Sequence, residues 1–388
     1  MTVETITLGC RLNFAESETI ARAASTDDDW IVINSCAVTN EAVRQSRQAI
    51  RRAHRQRPGA KILVTGCASE LEPERFATMP GVTRIVGNAA KLNAMAANDV
   101  MPPVPAGFMG HVRSFVAVQT GCDHRCTFCS IWQARGPSIS FPFDAIRNAV
   151  AREIDRGAME IVLTGVDITD YEGGIGKLCE RLLIAEPRLK RLRLSSLDGV
   201  EMDDALFELI AGELRLLPHF HLSLQAGDDL ILKRMKRRHS RSDAVRAVER
   251  IKAARGDATI GADLIAGFPT ETEEMALNTL RLLDDCDIVA AHIFPFSARP
   301  NTPAARMPQL AREAIKARAS RLRQAAGERR ARWLDNLVGT KQPVLIENHG
   351  KGHTDHFAPV TISGASRGEC GHARITGRDG DDVTAVWA

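Results

Sequence analysis

The stretch Gly121-Cys122-Asp123-His124-Arg125-Cys126-Thr127-Phe128-Cys129 decides how the rest of the chain is read. Its cysteines have the spacing C-x3-C-x2-C, on a loop that follows an apolar run at 114–118 with strand character. Three thiols this close together can hold three irons of a 4Fe–4S cube and leave the fourth iron without a protein ligand. An open position separates a reactive cluster from a closed electron carrier. Zinc is the structural alternative, but closed zinc sites complete a fourth ligand. His124, between two of the cysteines, is a poor candidate for it.

Working outward, apolar runs at 114–118, 160–163, 191–194, 219–224, 259–264 and 288–294 alternate with amphipathic stretches at 143–156, 202–214, 229–236, 242–254 and 273–284. Six strand–helix units predict a central (β/α)6 partial TIM barrel, with reactive groups at the C-terminal ends of its strands. A long basic helix over 312–336 follows. Upstream, short runs at 5–8, 30–33, 61–64 and 83–86 alternate with helical patterns at 16–24, 41–57 and 73–79, which predicts an N-terminal parallel-sheet α/β domain. Residues 101–107, with two adjacent prolines, read as a linker. Beyond 341, short β-type runs at 343–347, 356–362, 372–376 and 383–387 predict a small C-terminal β-barrel of a nucleic-acid-binding kind. The expected domains are 1–100, 108–336 and 337–388.

The 388 residues carry a net charge of +3, with 44% hydrophobic and 26% charged residues, which excludes wholesale disorder. No apolar run reaches the length of a membrane helix and no secretion-signal layout opens the chain, so a cytoplasmic protein is expected. Nine cysteines, an odd number, argue against a disulfide framework. Cys179, Cys286 and Cys370 read as small apolar or loop residues. Cys10, Cys36 and Cys67 each directly follow an expected strand. In a parallel sheet those positions share one edge, so three distant thiols can converge into a second three-cysteine cluster site.

The C-x3-C-x2-C triplet with an aromatic, Phe128, before its last cysteine resembles the radical S-adenosylmethionine (SAM) enzymes. The resemblance implies that SAM chelates the fourth iron and is reductively cleaved to a 5′-deoxyadenosyl radical. Short polar residues and glycines at expected strand ends fit a SAM pocket: Thr164 and Gly165, Ser195 and Ser196, Gln225, and Gly267. Phe128 and Asp263, a carboxylate inside an apolar strand that needs a partner there, are counted with them as cofactor-binding residues.

With the second triplet, Thr7-Leu8-Gly9-Cys10-Arg11-Leu12-Asn13, Glu16-Ser17-Glu18 and Asn34-Ser35-Cys36-Ala37-Val38-Thr39 resemble the N-terminal domain of the methylthiotransferases, and the tail resembles a TRAM domain. The resemblance covers essentially the whole chain. It implies two 4Fe–4S clusters, on Cys122, Cys126 and Cys129 and on Cys10, Cys36 and Cys67. It also implies two SAM molecules and insertion of a methylthio group into a C–H bond. Gly9-Cys10-Arg11-Leu12-Asn13, residues 42–52, Gly165-Val166-Asp167-Ile168-Thr169 and residues 221–229 look most like the branch acting at C2 of N6-threonylcarbamoyladenosine, next to the tRNA anticodon. The isopentenyladenosine and ribosomal-protein branches are the close competitors, and a non-catalytic iron–sulfur RNA-binding redox protein is the alternative of another class. After Cys129 the chain departs from the family's two aliphatics and proline, reading Ser130-Ile131-Trp132-Gln133-Ala134 before the matching Arg135-Gly136.

The partners implied are the tRNA anticodon stem-loop and a reducing donor such as flavodoxin or ferredoxin, acting on a monomer. Arg44, Arg47, Arg51 and Arg55 fall within an arc of about 80° on one helix. They and the run Lys233, Arg234, Lys236, Arg237, Arg238 and Arg241 have no acidic residue within their own stretch, which favours phosphate contact. A third run comprises Arg318, Arg321, Arg323, Arg329, Arg330 and Arg332. His349, His353, His356 and His372 read as surface or RNA-facing residues rather than metal ligands.

Overall fold

The run Trp30-Ile31-Val32-Ile33 is buried from its second residue onward because helices cover both faces of the strand it forms. In the computed structural model, which describes residues 3–24, 28–94, 104–107 and 111–388, the N-terminal segment alternates β1 (Glu4–Thr7), α1 (Arg11–Ala23), β2 (Trp30–Ser35), α2 (Asn40–Gln56), β3 (Lys61–Gly66), α3 (Cys67–Leu71), α4 (Pro73–Ala77) and β4 (Val82–Ile85). The four strands pair in parallel in chain order. Cys10, Cys36 and Cys67 therefore stand at one edge of the sheet, as their strand-end positions predict. Thr39 caps α2 by accepting from the Ala42 N–H.

The expected linker is only partly a linker. Residues 101–103 lie outside the described residues, but β5 (Ala106–Gly107) pairs antiparallel with β6 (Arg113–Ala117). Then follow β7 (Gln119–Thr120), α5 (Ile131–Arg135), β8 (Ile139–Ser140), α6 (Phe143–Asp155), β9 (Glu160–Thr164), α7 (Ile175–Ala185), β10 (Leu192–Leu194), α8 (Asp204–Gly212), β11 (His219–Gln225), α9 (Asp229–Met235), α10 (Arg241–Ala254), β12 (Thr259–Ala266), α11 (Glu273–Asp285), β13 (Ile288–Pro295) and α12 (Arg312–Asp335). Strands β6, β9 and β10 pair in parallel, as do β11, β12 and β13. A parallel bridge between Leu197 and Leu222 joins the two groups. This is the six-stranded partial barrel read from the sequence. Helix α7 is a further element there, and its buried Cys179 belongs to the apolar core. Helix α12 lies along β13.

Strands β14 (Lys341–Asn348), β15 (Lys351–Thr354), β16 (Pro359–Thr361), β17 (Cys370–Asp379) and β18 (Asp382–Trp387) close a small barrel. Cys370 opens a strand rather than sitting in a loop. The run 356–362, expected as one strand, is split because Phe357 adopts φ +68 and turns toward the central barrel. There its ring stacks on His219 and His353, with centroids 5.2 and 4.5 Å away. Arg113 and Arg193 lie over it at 5.1 and 5.0 Å. Arg193 donates to the Thr354 and Asp355 carbonyls, and the Thr259 hydroxyl donates to that of His356. His219 and Thr259 begin their strands, so this loop stops the N-terminal mouth of the barrel.

Glu160, fully buried at the same end, joins Arg113 at 2.6 Å, Arg193 at 2.8 Å and Arg191 at 3.1 Å. Burial alone would raise its pKa, but the three guanidinium groups hold the carboxyl at about 2. A carboxyl depressed in the folded state stabilises above its unfolded pKa and stops doing so as pH falls through the folded one. The unfolding temperature of Glu160→Gln should thus lie below that of the parent at neutral pH by the equivalent of about 3 kcal/mol. Below about pH 4.5 the gap should narrow. A gap unchanged down to pH 3 would show that the charge of Glu160 is not what stabilises this junction.

Candidate functional site

The loop bearing Cys122, Cys126 and Cys129 is held from several sides. Gly121 has φ +77, and a Cβ there would meet the Pro137 carbonyl oxygen at 1.7 Å, so only glycine admits this turn. The Cys122 N–H donates to the Gly136 carbonyl. Thr127 donates through its N–H to Met235 and through its hydroxyl to the Arg234 carbonyl. Phe128 packs against the cluster of Ile231, Phe268 and Ala304. The Ile131 N–H donates to Cys129 Sγ at 3.3 Å.

His124 is turned toward two carboxylates. Its Nε2 lies 2.9 Å from Asp167 and 3.1 Å from Glu201. Those carboxylates and the Cys126 sulfur push its pKa up to about 12. Asp198 holds Arg237 at 2.5 Å, and Arg237 Nη1 reaches Cys126 Sγ at 3.6 Å. Burial would raise the Cys126 thiol, but His124 and Arg237 bring it below the ordinary thiol range. Burial pushes Cys129 up to about 12. Asp167 falls in a stretch singled out for resemblance, whereas Asp198 and Arg237 gave no signal beyond charge.

At the facing edge of the N-terminal sheet, Cys36 and Cys67 are buried and Cys10 is exposed. Burial raises the Cys36 thiol to about 11, and the charges of Cys10 and Cys67 add to that. Gly9, at φ +94, lies so close that a Cβ would stand 2.6 Å from Cys36 Sγ. Arg135, from the helix that follows the first triplet, joins the two sites. It donates to Glu16 Oε1 at 2.8 Å, Glu16 Oε2 at 3.0 Å and Asn13 Oδ1 at 2.6 Å. Lys91 closes on the same Glu16. Asn13 donates onward to the Leu8 and Ser35 carbonyls, beside Cys10 and Cys36.

The residues expected to bind SAM divide. Thr164 and Ser195 are buried at strand ends and Ser196 is half-buried beside them. Gln225 has φ +66 at the end of β11. A Cβ on Gly165 would meet the Gln119 carbonyl and side chain at 2.9 Å, so that glycine fits a tight turn held by Gln119, which accepts from the Val166 and Asp167 N–H groups. Gly267, φ +76, packs against Ile315 of α12 and donates its N–H to Glu271. Asp263 has the partners its burial demands: His221 Nε2 at 3.0 Å and His292 Nδ1 at 3.2 Å, from the neighbouring strands. Arg11, which lies over Phe115 at 5.9 Å, and His221 fall in stretches that carry the family resemblance, whereas His292 falls only within an expected strand.

The basic runs require correction. Arg237 pairs with Asp198, Arg238 with Glu201 and Arg241 with Asp285, so half of that run ties the barrel together. Arg318, Arg321 and Arg329 likewise pair with Glu271, Glu273, Asp284 and Asp287. The acidic partners come from other elements, which a local search cannot see. Arg44 binds Glu41, whereas Arg51, Arg52 and Arg55 stay exposed on α2. His353 and His356 are held by Glu347 and Asp257 within the barrel junction.

The donor chemistry suits iron–sulfur ligation. Each site offers three soft thiols, one fastened by an N–H to sulfur and a guanidinium, the other backed by a glycine whose missing side chain leaves room at Cys36. Residues 116–283 match the Radical SAM superfamily, and residues 2–87 match the Uncharacterized protein family UPF0004. Among similar proteins is the threonylcarbamoyladenosine tRNA methylthiotransferase MtaB of Rickettsia prowazekii, 42% identical, with 92% of this chain and 91% of that protein covered. The protein of the same name from Thermotoga maritima is 33% identical over 100% and 97%. A tRNA-2-methylthio-N(6)-dimethylallyladenosine synthase of Erythrobacter litoralis is 32% identical over 88% and 86%. In fold, the chain is similar to the radical SAM methyltransferase TsrM of Kitasatospora setae, with a TM-score of 0.56 at 14% identity, spanning 74% of this chain and 66% of that one.

Proposed function

Since the chain belongs to the radical SAM methylthiotransferase family, we propose that it places a methylthio group on C2 of N6-threonylcarbamoyladenosine beside the tRNA anticodon. The observation that carries this reading is the pair of three-thiol sites joined through Arg135. A single open cluster suffices to make a radical, whereas sulfur insertion with methyl capping calls for a second site facing the same space. Of the similar proteins above, the two with the highest identity carry the threonylcarbamoyladenosine name.

Enzymes of this family use SAM and 4Fe–4S clusters, which supply the electron, the hydrogen-abstracting radical and the methylated sulfur. This chain's own residues do the rest. Cys122, Cys126 and Cys129 would hold the cluster that binds SAM, and Cys10, Cys36 and Cys67 the auxiliary one. His124, kept charged by Asp167 and Glu201, and Arg237 set the loop's geometry and place positive charge against Cys126. Thr164, Ser195, Ser196 and Gln225 line the strand ends where SAM's polar groups would lie. The Phe357 loop closes the far mouth of the barrel, which limits water access from that side. Exposed Arg51, Arg52 and Arg55 give a face for tRNA phosphates. Among the described residues no helix is long and apolar enough to cross a membrane. The reading carries with it a cytoplasmic monomer reduced by a flavodoxin or ferredoxin.

Nucleoside mass spectrometry of tRNA from cells with and without the gene tests the proposal. The methylthio form of threonylcarbamoyladenosine should vanish on deletion, with its precursor accumulating. Loss of the methylthio-isopentenyl form instead would keep the chemistry and move the chain to the other tRNA branch. An unchanged nucleoside profile would overturn a tRNA substrate.

A further inference from the structure

We infer that Arg11 is the specificity residue of the substrate chamber, receiving the free carboxylate of the N6 substituent, with Asp263 and His292 facing the substituent's hydroxyl and N–H groups. This rests on the function proposed above and says how the site would select its adenosine.

Arg11 follows Cys10 directly and begins α1, so it stands at the edge of the auxiliary site. Its guanidinium reaches over Phe115 at 5.9 Å. Ser114 and Val116, on either side of Phe115, are buried on the helix-covered face of β6, where Ser114 bonds Glu153. Phe115 therefore points the other way, on the side that bears Arg113, where Phe14 of α1 also meets its ring edge-on at 5.4 Å. Arg11 senses the charges of Arg113, Arg193, Asp263 and Glu160, and those residues lie on four different barrel strands or their margins. It is thus the side chain that leads from the auxiliary site into the lumen.

The cations around it are already matched. Arg113 and Arg193 bind Glu160, and Arg135 binds Glu16. Among the described residues Arg11 has no hydrogen bond or ion pair, only the Phe115 ring. A half-buried guanidinium with a free planar fork is a receptor for a carboxylate. Across from it, Asp263 is already oriented by His221 and His292, and its acceptor oxygens suit a hydroxyl or N–H. His292 is largely exposed, at 61% of its side-chain surface, and so can meet a ligand.

A threonylcarbamoyl group offers this set: one carboxylate, one hydroxyl and ureido N–H groups. An isopentenyl group offers none of them. It would leave Arg11 and Asp263 desolvated without new partners, the situation in which polar sites discriminate most strongly. The substituent is attached to the same six-membered ring that receives the sulfur, so a residue beside Cys10 can reach it.

The test uses the cluster-loaded enzyme and anticodon stem-loop RNAs carrying either threonylcarbamoyladenosine or its neutral carboxamide, with kcat/KM for methylthio product measured on each. The parent chain should prefer the acid by about 100-fold. Arg11→Gln should bring the acid-to-amide ratio toward unity, and Arg11→Lys should restore part of it. Because the ratio is taken within one enzyme preparation, cluster occupancy and folding cancel. A ratio unchanged in Arg11→Gln, with both substrates slowed alike, would overturn the inference and place Arg11 in support of the auxiliary site. A parent chain inert on threonylcarbamoyladenosine RNA but active on isopentenyladenosine RNA would overturn the functional reading itself.

Discussion

Cys126→Ala should end 5′-deoxyadenosine formation in the purified, reconstituted protein, a loss of at least about 10³-fold, whereas Cys36→Ala should leave that reaction standing and abolish methylthio product. The contrast follows from the separation of the two thiol sets. Cys126 sits in the loop that Thr127, Gly121 and Arg237 fasten to the barrel, and Cys36 at the edge of a different sheet. Truncating a cysteine to alanine removes one atom, so the fold should survive at a cost of about 1 kcal/mol. Gly9→Ala offers a second route that keeps all six cysteines. A Cβ at φ +94 and 2.6 Å from Cys36 Sγ must displace that sulfur or the strand end. It should reproduce the Cys36→Ala behaviour, with a lower iron content and intact SAM cleavage. Deoxyadenosine assays, iron and sulfide analysis and product mass spectrometry together separate these outcomes. If Cys36→Ala also stopped SAM cleavage in a folded protein with one intact cluster, the division of labour between the sites would be wrong.

What was legible in the sequence was whatever depends on local spacing. The triplet at 122–129 announces itself because its ligands lie on one loop. Cys10, Cys36 and Cys67 could be grouped because parallel strands bring their C-terminal ends to one edge, so three strand boundaries, each read within a few residues, were enough. Asp263 was legible as a buried charge in want of a partner, though not the partners, since His221 and His292 come from strands some forty and thirty residues away. The basic runs misled for the same reason. Arg237 and Arg241 looked unpaired along the chain, and their carboxylates, Asp198 and Asp285, arrive only when the barrel forms. Phe357 lies in a run that reads as strand. Only the aromatic and cationic residues waiting at the barrel mouth explain why the chain breaks the strand to insert it.

Arg135→Met should cost more than any surface arginine and should show in coupling as well as in stability. The guanidinium is 2% exposed and its partner Glu16 5%. The attraction of Glu16 and Cys67 outweighs burial and raises the Arg135 pKa well above its ordinary value, so the residue is a fixed charge. Methionine fills much of the volume but leaves Glu16 with Lys91 alone and Asn13 Oδ1 with only the weak Cys10 thiol contact at 3.8 Å. Removing one member of a buried ionic network typically costs about 3–5 kcal/mol. Arg135 sits on the helix after Cys129, and Asn13 and Glu16 sit on the helix after Cys10. The lost contacts are therefore those that set one thiol site against the other, and a displacement of about 1 Å between reacting groups can cost about 100-fold. SAM cleavage should continue while methylthio product per deoxyadenosine falls by about one to two orders of magnitude. Hydrogen exchange should rise in α1 and α5. Arg135→Lys is the informative companion, because it keeps the charge but cannot span Glu16 and Asn13 with one planar fork. Stability restored by lysine with coupling still low would assign Arg135 its positioning role. Coupling restored along with stability would mean that charge alone holds the two sites in register.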